Sequence, residues 1–293
     1  MLITKNSKYK RLKYRIIGVI VIVLLFFSCE KKNYNNNQNN EKQIRIVSLA
    51  PSITSELVDL GLKDNIVGAT SYCDITSNNK DLIVGSAISV NIEKVLLLKP
   101  NVVFTSGLTK DKTINTLKKN GVQVYKFGKM NSFDDICDHF LELSTYVHKK
   151  NEADLIIKTA RVKVDSLKAL VPKKKDSLRV FFQLGAKPVF TVIPNTFMND
   201  YITFAGCKNI ANDMTMGTIN RETVLNRNPD IIFIISMGII GEKEQEIWGT
   251  YPVLNATKNN KIFIIDANIA ANPTVISFLK TFEIIINSIY DVE

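Results

Sequence analysis

Two glutamates in this 293-residue chain share one setting. Glu93 stands in Glu93-Lys94-Val95-Leu96, ahead of Pro100-Asn101-Val102-Val103-Phe104. Glu222 stands 129 residues later in Glu222-Thr223-Val224-Leu225, ahead of Pro229-Asp230-Ile231-Ile232-Phe233. Asn91 and Asn220 are suited to cap a helix start, which puts each glutamate in a first turn. An acid there complements the helix dipole by about 0.3–1 kcal/mol when exposed. The same first-turn setting recurs once in each half of the chain. A hydrolase needs a nucleophile, a base and an orienting group, yet the chain has no GxSxG elbow, no HExxH and no glycine-rich phosphate loop. Its 2 histidines, His139 and His148, fall on one helical stretch, and no CxxC spacing offers a metal site. We expect no enzyme, no enzyme cofactor and no protein-held metal.

The elements that must position these residues repeat one grammar. Ile44 to Leu49 is a β-rich run ending at Ala50-Pro51, followed by Ile53, Leu57 and Leu60 at helical spacing, with Ser52 or Thr54 as N-cap and Gly61 as stop. Asn65–Thr70, Val102–Thr105 and Val122–Tyr125 read as further strands, and a polar helical stretch lies around Thr113 to Asn120. In the second half Arg179–Leu184, Ile231–Ile235 and Ile262–Ile265 follow the same alternation. Strands alternating with helices predict parallel sheets, and the repeat predicts two related α/β lobes. Between them Phe133 to Val171 contains no Gly or Pro. Asn151 is placed to cap a helix over 151–172, a rod of roughly 31 Å. The expected division is therefore 44–150, the helix 151–172, and 173–293.

The charge of +10 sits unevenly. Lys5, Lys8, Lys10, Arg11, Lys13 and Arg15 precede residue 16 with no acid among them. Removing those six leaves about +4, which withdraws the case for nucleic acid that a basic chain first raises. Ile16 to Phe27 is uncharged and too short for a membrane span, which needs about 20 apolar residues. Together with Ser28-Cys29 it resembles a bacterial lipoprotein signal, with Phe26 and Phe27 departing from the usual lipobox. That resemblance implies removal of 1–28, acylation of Cys29 and an exported, membrane-anchored protein. The Asn-rich segment 29–43 lacks apolar periodicity and reads as a tether. Cys73, Cys137 and Cys207 follow no disulfide pattern.

Arg45-Ile46-Val47-Ser48-Leu49-Ala50-Pro51-Ser52-Ile53-Thr54-Ser55-Glu56 resembles the opening of the helical-backbone substrate-binding proteins of ABC importers, which carry cobalamin, haem and ferric siderophores. Val67-Gly68-Ala69-Thr70-Ser71-Tyr72-Cys73-Asp74 continues the resemblance, as do Asn91-Ile92-Glu93 with Lys99-Pro100-Asn101, and Asn220-Arg221-Glu222 with Asn228-Pro229-Asp230. It implies two Rossmann-like lobes joined by one long helix, the class III periplasmic binding protein fold, acting as a monomer. It also implies that a metal chelate is clamped between the lobes, and that Glu93 and Glu222 engage arginines of the two permease subunits. In the family's cobalamin receptor a tyrosine at the position of Tyr72 faces the ligand. Ser106 and Met216 stand where that receptor has tryptophans, with a third near Ala87 or Ile88. Its disulfide cysteine corresponds to Cys207, but no cysteine lies on the last helix here, Ile276 to Tyr290. Cys207 is then a small buried residue.

Ligands of open α/β sheets lie beyond the strands' carboxyl ends. This selects Pro51, Ser52, Tyr72, Ser86, Ala87, Ile88, Ser106, Gly107, Gly185, Lys187, Phe190 and Met216 as cleft residues, together with Met237-Gly238, and leaves Trp248 to the core. Anionic siderophores require cleft cations, and of the cleft loops only the one with Lys187 supplies one. Haem requires an axial His or Tyr, and only Tyr72 is placed for it. A weakly charged cargo is favoured, cobalamin or another corrinoid, with a ferric siderophore or haem as alternatives. A chelate-modifying enzyme would release an altered product, and a surface scaffold would bind no chelate.

Overall fold

A computed structural model describes residues 44–86, 88–172, 177–236 and 240–290. The signal 1–28, Cys29, the tether 29–43, Ala87 and Met237-Gly238 lie outside the described residues. In the first lobe β1 (Ile46–Ser48) leads through α1 (Pro51–Asp59) to β2 (Ile66–Ala69), then α2 (Ile92–Leu97), β3 (Val102–Thr105), α3 (Asp111–Lys119) and β4 (Gln123–Lys126). The four strands are parallel, in the order β2-β1-β3-β4. Then α4 (Phe133–Tyr146) and α5 (Lys150–Ala169) cross to the second lobe.

That lobe contains β5 (Arg179–Ala186), β6 (Val189–Thr191), α6 (Phe197–Phe204), β7 (Lys208–Asn209), α7 (Arg221–Arg227), β8 (Ile231–Ser236), α8 (Ile240–Gly249), α9 (Asn255–Lys258), β9 (Ile262–Asp266), α10 (Ala267–Ala270) and α11 (Val275–Tyr290). Its sheet runs β6-β5-β8-β9, with β7 beside the start of β5. The expectation of parallel strands is corrected at one edge. β6 returns from β5 through Lys187-Pro188, whose peptide is cis, and so short a connection permits only antiparallel pairing.

Two predicted caps are also corrected. Helix α1 begins at Pro51 after extended Ala50, so Ser52 and Thr54 lie inside its first turns. Proline at the first helical position has the required φ and lacks only an N–H with no helical partner. Helix α5 is capped at Lys149, with Asn151 in its first turn, because the chain turns at His148 (φ 57). Its 20 residues span about 30 Å. Gly61 ends α1 with φ 77, as its predicted stop requires.

The strands read as unbroken apolar runs because each sheet is covered on both faces. Val102 and Phe104 face one buried cluster, while Val103 faces another. In the second lobe Phe182, Ile231 and Phe233 join the first cluster, and Phe181, Ile232 and Trp248 form a separate one. The first cluster is therefore shared between lobes. Phe278 of α11 stacks on Phe133 of α4 at 4.3 Å and on Tyr201 of α6 at 4.6 Å. Trp248 is fully buried, as expected of a core residue. Burial pushes the Cys137 thiol up to about 12 and that of Cys207 to about 11, so both are inert side chains of the interior.

Burial also lifts the carboxyl of Asp59 to about 6, against an opposing pull from Lys280. The folded protein then holds a proton that the unfolded chain has already released, so stability falls as pH rises from about 4 to about 6. Thermal melts over that range should show the decline in the wild type and a flatter profile for Asp59→Asn. Parallel profiles for the two proteins would refute the assignment.

Candidate functional site

Among the described residues, the loops after the strands' carboxyl ends meet between the lobes and line two cavities of about 450 and 440 Å³. The first turn of α1 lies between them. Pro51 and Ser55 line the first, and Ser52 lines the second. Thr54 secures this turn, its hydroxyl donating to Ser48 Oγ at 2.8 Å and lying 3.0 Å from the Ala50 carbonyl, which accepts from Ser48 Oγ at 3.2 Å. Asn272 of the second lobe donates to Ser55 Oγ at 3.2 Å, tying the lobes at the same place.

The two cavities differ in chemistry. The first is the more polar of the two, with Tyr72 and Asp74 on one side and Asp266, Asn268 and Asn272 on the other. Asp266 is held in place by capping α10, its Oδ1 accepting from Asn268 N at 2.8 Å. The second is apolar, built from Leu108 and Met130 on one side and Leu184, Ile193, Phe197 and Met198 on the other. Lys129 lines it too.

Of the residues selected from sequence, Pro51 and Tyr72 line the polar cavity, and Ser52, Ser106 and Gly107 line the apolar one. Tyr72 is 75% exposed, consistent with a ring left for contact rather than packing. Gly185 lines a smaller cavity of about 120 Å³ with Gln183 and Glu244. Ser86, Ile88, Lys187, Phe190 and Met216 line neither of the two large cavities. Lys187 lies in the β5–β6 turn, and Met216 is on an exposed loop whose Gly217 carbonyl accepts from Thr191 N. Among the described residues lining the two large cavities the lysine is Lys129, which the sequence reasoning missed because nothing marks Gly128-Lys129-Met130 except its place after β4. Thr191 to Met198 and Asp266 to Pro273 were missed for the same reason.

Every arginine among the described residues is engaged away from the two large cavities. Arg45 donates to the Leu98 carbonyl at 2.7 Å and Arg179 to that of Arg227 at 3.1 Å, so each clasps the C-terminus of a glutamate-bearing helix. Their backbone N–H groups donate to Asn101 and Asp230, equivalent positions of the repeat, both at 2.8 Å. Arg161 pairs with Asp134 at 2.5 Å and Arg227 with Asp213 at 2.6 Å. Arg221 pairs with buried Glu244, which also accepts from Gln183 at 2.7 Å. Trp248 donates to Gln183 at 2.6 Å and lies under the Arg221 guanidinium.

His139 is buried away from the cavities, its Nδ1 3.2 Å from Glu56 Oε1. Burial raises the Glu56 carboxyl, and His139 pulls it the other way. The pair joins α1 to α4 and is structural. His148 is exposed beyond the end of α4.

Glu93 and Glu222 have the geometry expected of a repeated motif. Asn91 caps α2 by accepting from Lys94 N at 2.9 Å, and Asn220 caps α7 by accepting from Thr223 N at 2.7 Å. Both helices lead into the start of a strand, which puts their N-termini on the side where the cleft opens. Neighbouring cations are held elsewhere. Lys94 Nζ donates to the Asp81 and Ile83 carbonyls at 2.9 and 2.8 Å, and Arg221 is held by Glu244. Both glutamates are exposed, and neither carboxylate forms an ion pair with the described residues.

Residues 46–269 match the periplasmic binding protein family. The chain is 27% identical over 232 residues to YvrC, an uncharacterized ABC transporter substrate-binding lipoprotein of Bacillus subtilis, covering 77% of this chain and 73% of the relative. It is 26% identical over 194 residues to the vitamin B12-binding protein of Yersinia pestis, covering 65% of this chain and 69% of the relative. The crystal structure of a possible iron-binding (periplasmic solute-binding) protein from Staphylococcus epidermidis superposes with a TM-score of 0.72 at 26% identity, covering 84% of this chain and 98% of the other. The match runs through both lobes and the helix between them, so the chain belongs to the periplasmic binding protein family, as a class III substrate-binding protein of an ABC importer and not an enzyme.

Proposed function

We propose that this receptor captures a cobalamin-type corrinoid between its lobes and delivers it to its permease through Glu93 and Glu222. In this reading it is an exported monomer anchored by acyl chains on Cys29. The observation carrying the cargo assignment is the charge of the cleft. Its polar half offers the carboxylates of Asp74 and Asp266, while the described arginines are occupied elsewhere. Carboxylates accept hydrogen bonds from amides and repel other carboxylates. A corrin edged with amide side chains meets that half favourably, whereas haem propionates and anionic siderophores are opposed. Calorimetric titration of the purified full-length protein with cyanocobalamin, haemin and a ferric catecholate siderophore tests this. One equivalent of cyanocobalamin should bind, with the anionic chelates much weaker. Tight haemin binding without cobalamin binding would replace the assignment.

A further inference from the structure

Resting on the reading that Glu222 docks the permease, we propose that buried Glu244 is a positioning residue for that contact. It holds the Arg221 guanidinium inside the second lobe, so that Glu222 meets the cationic groups of a partner as a bare carboxylate.

The internal repeat shows why such a residue is needed. Asn91-Ile92-Glu93 of the first lobe corresponds to Asn220-Arg221-Glu222 of the second, 129 residues later. Where one lobe has an isoleucine, the other places a cation beside the exposed glutamate. Adjacent helical residues do not face each other, but a guanidinium free in the first turn would still offset the carboxylate's charge and repel a partner's cations. At the same offset of 129, Asn115 of α3 corresponds to Glu244 of α8. The cation and its counter-acid are thus present together in one lobe and absent together from the other.

The contacts draw Arg221 inward. Its Nη2 pairs with Oε2 of Glu244, which is 4% exposed, and its Cζ lies 4.6 Å from the ring centroid of fully buried Trp248. Gln183 fixes both partners, donating to the same Glu244 oxygen at 2.7 Å and accepting from Trp248 Nε1 at 2.6 Å. Nη1 of Arg221 is buried with no hydrogen-bond partner among the described residues. Water would satisfy that nitrogen, so the carboxylate is what keeps the guanidinium from turning outward. The first lobe reaches the same result by other means. Lys94, on the far side of Glu93, is held by the Asp81 and Ile83 carbonyls. Two unlike clasps that withdraw the cation beside each glutamate fit one shared requirement.

The test measures binding of the full-length receptor, at low and high salt, to the permease that depends on it for uptake, reconstituted in nanodiscs. Glu222→Ala sets the scale of a lost docking contact. Glu244→Gln keeps the side chain's shape and an acceptor for Gln183. It should weaken docking by about tenfold at low salt, and the loss should shrink as salt screens the freed cation. Adding Arg221→Gln to Glu244→Gln should restore docking, whereas a merely structural role predicts further damage because more of the same contacts are broken. Ile92→Arg, which sets an unheld guanidinium beside Glu93, should reproduce the salt-sensitive loss in the other lobe without touching the Glu244 contacts. Unchanged docking of Glu244→Gln or Ile92→Arg, a loss indifferent to salt, or a double variant no better than Glu244→Gln would each overturn the inference and leave the docking reading standing. Docking of Glu222→Ala at wild-type strength would instead overturn that reading, and this inference with it.

Discussion

Replacing Glu93 and Glu222 together by Ala should abolish cargo uptake by cells while leaving the purified receptor's cargo affinity unchanged. The two carboxylates are exposed, lie on matched first turns and are kept clear of their neighbouring cations by Lys94 and Arg221 contacts. Each helix keeps its asparagine cap in the variant, so the fold should lose only the dipole term of about 0.3–1 kcal/mol per site. Docking should lose far more. Removing one partner of a desolvated charge pair costs about 2–5 kcal/mol, so two losses exceed roughly 10³-fold in affinity for the permease. Uptake assays, with titration of the same variant, separate the effects. Cargo affinity that fell with uptake would place the glutamates in the binding cleft and refute the docking assignment.

Phe278→Ala should be the most damaging single truncation outside the cleft. The ring is fully buried and stacks on Phe133 from the first lobe's side and on Tyr201 from the second. Large-to-small changes of buried phenylalanine cost about 3–5 kcal/mol, since transfer and cavity terms add. For a chain of this size that lowers the melting temperature by about 6–20 °C. Leu155→Ala, on the exposed face of α5, should scarcely move it. Because Phe278 belongs to the cluster that spans both lobes, loss of the ring should also loosen one lobe against the other. Hydrogen exchange should then rise in α4 and α6 together. A melting loss no larger than that of Leu155→Ala would show that the two sheets do not share this core.

The fold was legible because its signals are local and repeated. Val102 to Phe104 and Ile231 to Phe233 read as strands covered on both faces, and the absence of Gly and Pro from Phe133 to Val171 marked the crossing helices. Glu93 and Glu222 were found because two copies of one motif can be compared within the chain. The cleft was only partly legible. Its position beyond the strand ends follows from topology, and that brought Pro51, Ser52, Tyr72, Ser106 and Gly107 to the cavities. Which residue of a loop turns inward depends on the path of the loop, and no periodicity encodes that path. Topology places Lys187 in a cleft loop, yet a tight hairpin turn carries it onto the surface, while nothing in the sequence marks Lys129 as turning inward. The Glu56–His139 pair was invisible for a related reason: its partners are 83 residues apart and meet only when α1 packs on α4.

The cluster that runs from one lobe into the other has a further consequence for how two contacts add. Glu93 and Glu222 sit on opposite lobes, so their separation is set by whatever joins the lobes. Here the join is a packed interior rather than a flexible strap. If Glu93 and Glu222 dock the permease as proposed, engagement of one would leave the other already held near its own target, at little additional orientational entropy. Bivalent attachment of this kind multiplies affinity through effective concentration, without any new contact. It also makes spacing a specificity filter. On the docking proposal, a permease whose two contact sites are spaced for a different receptor would take one glutamate but not both, and single-point attachment would forfeit the gain.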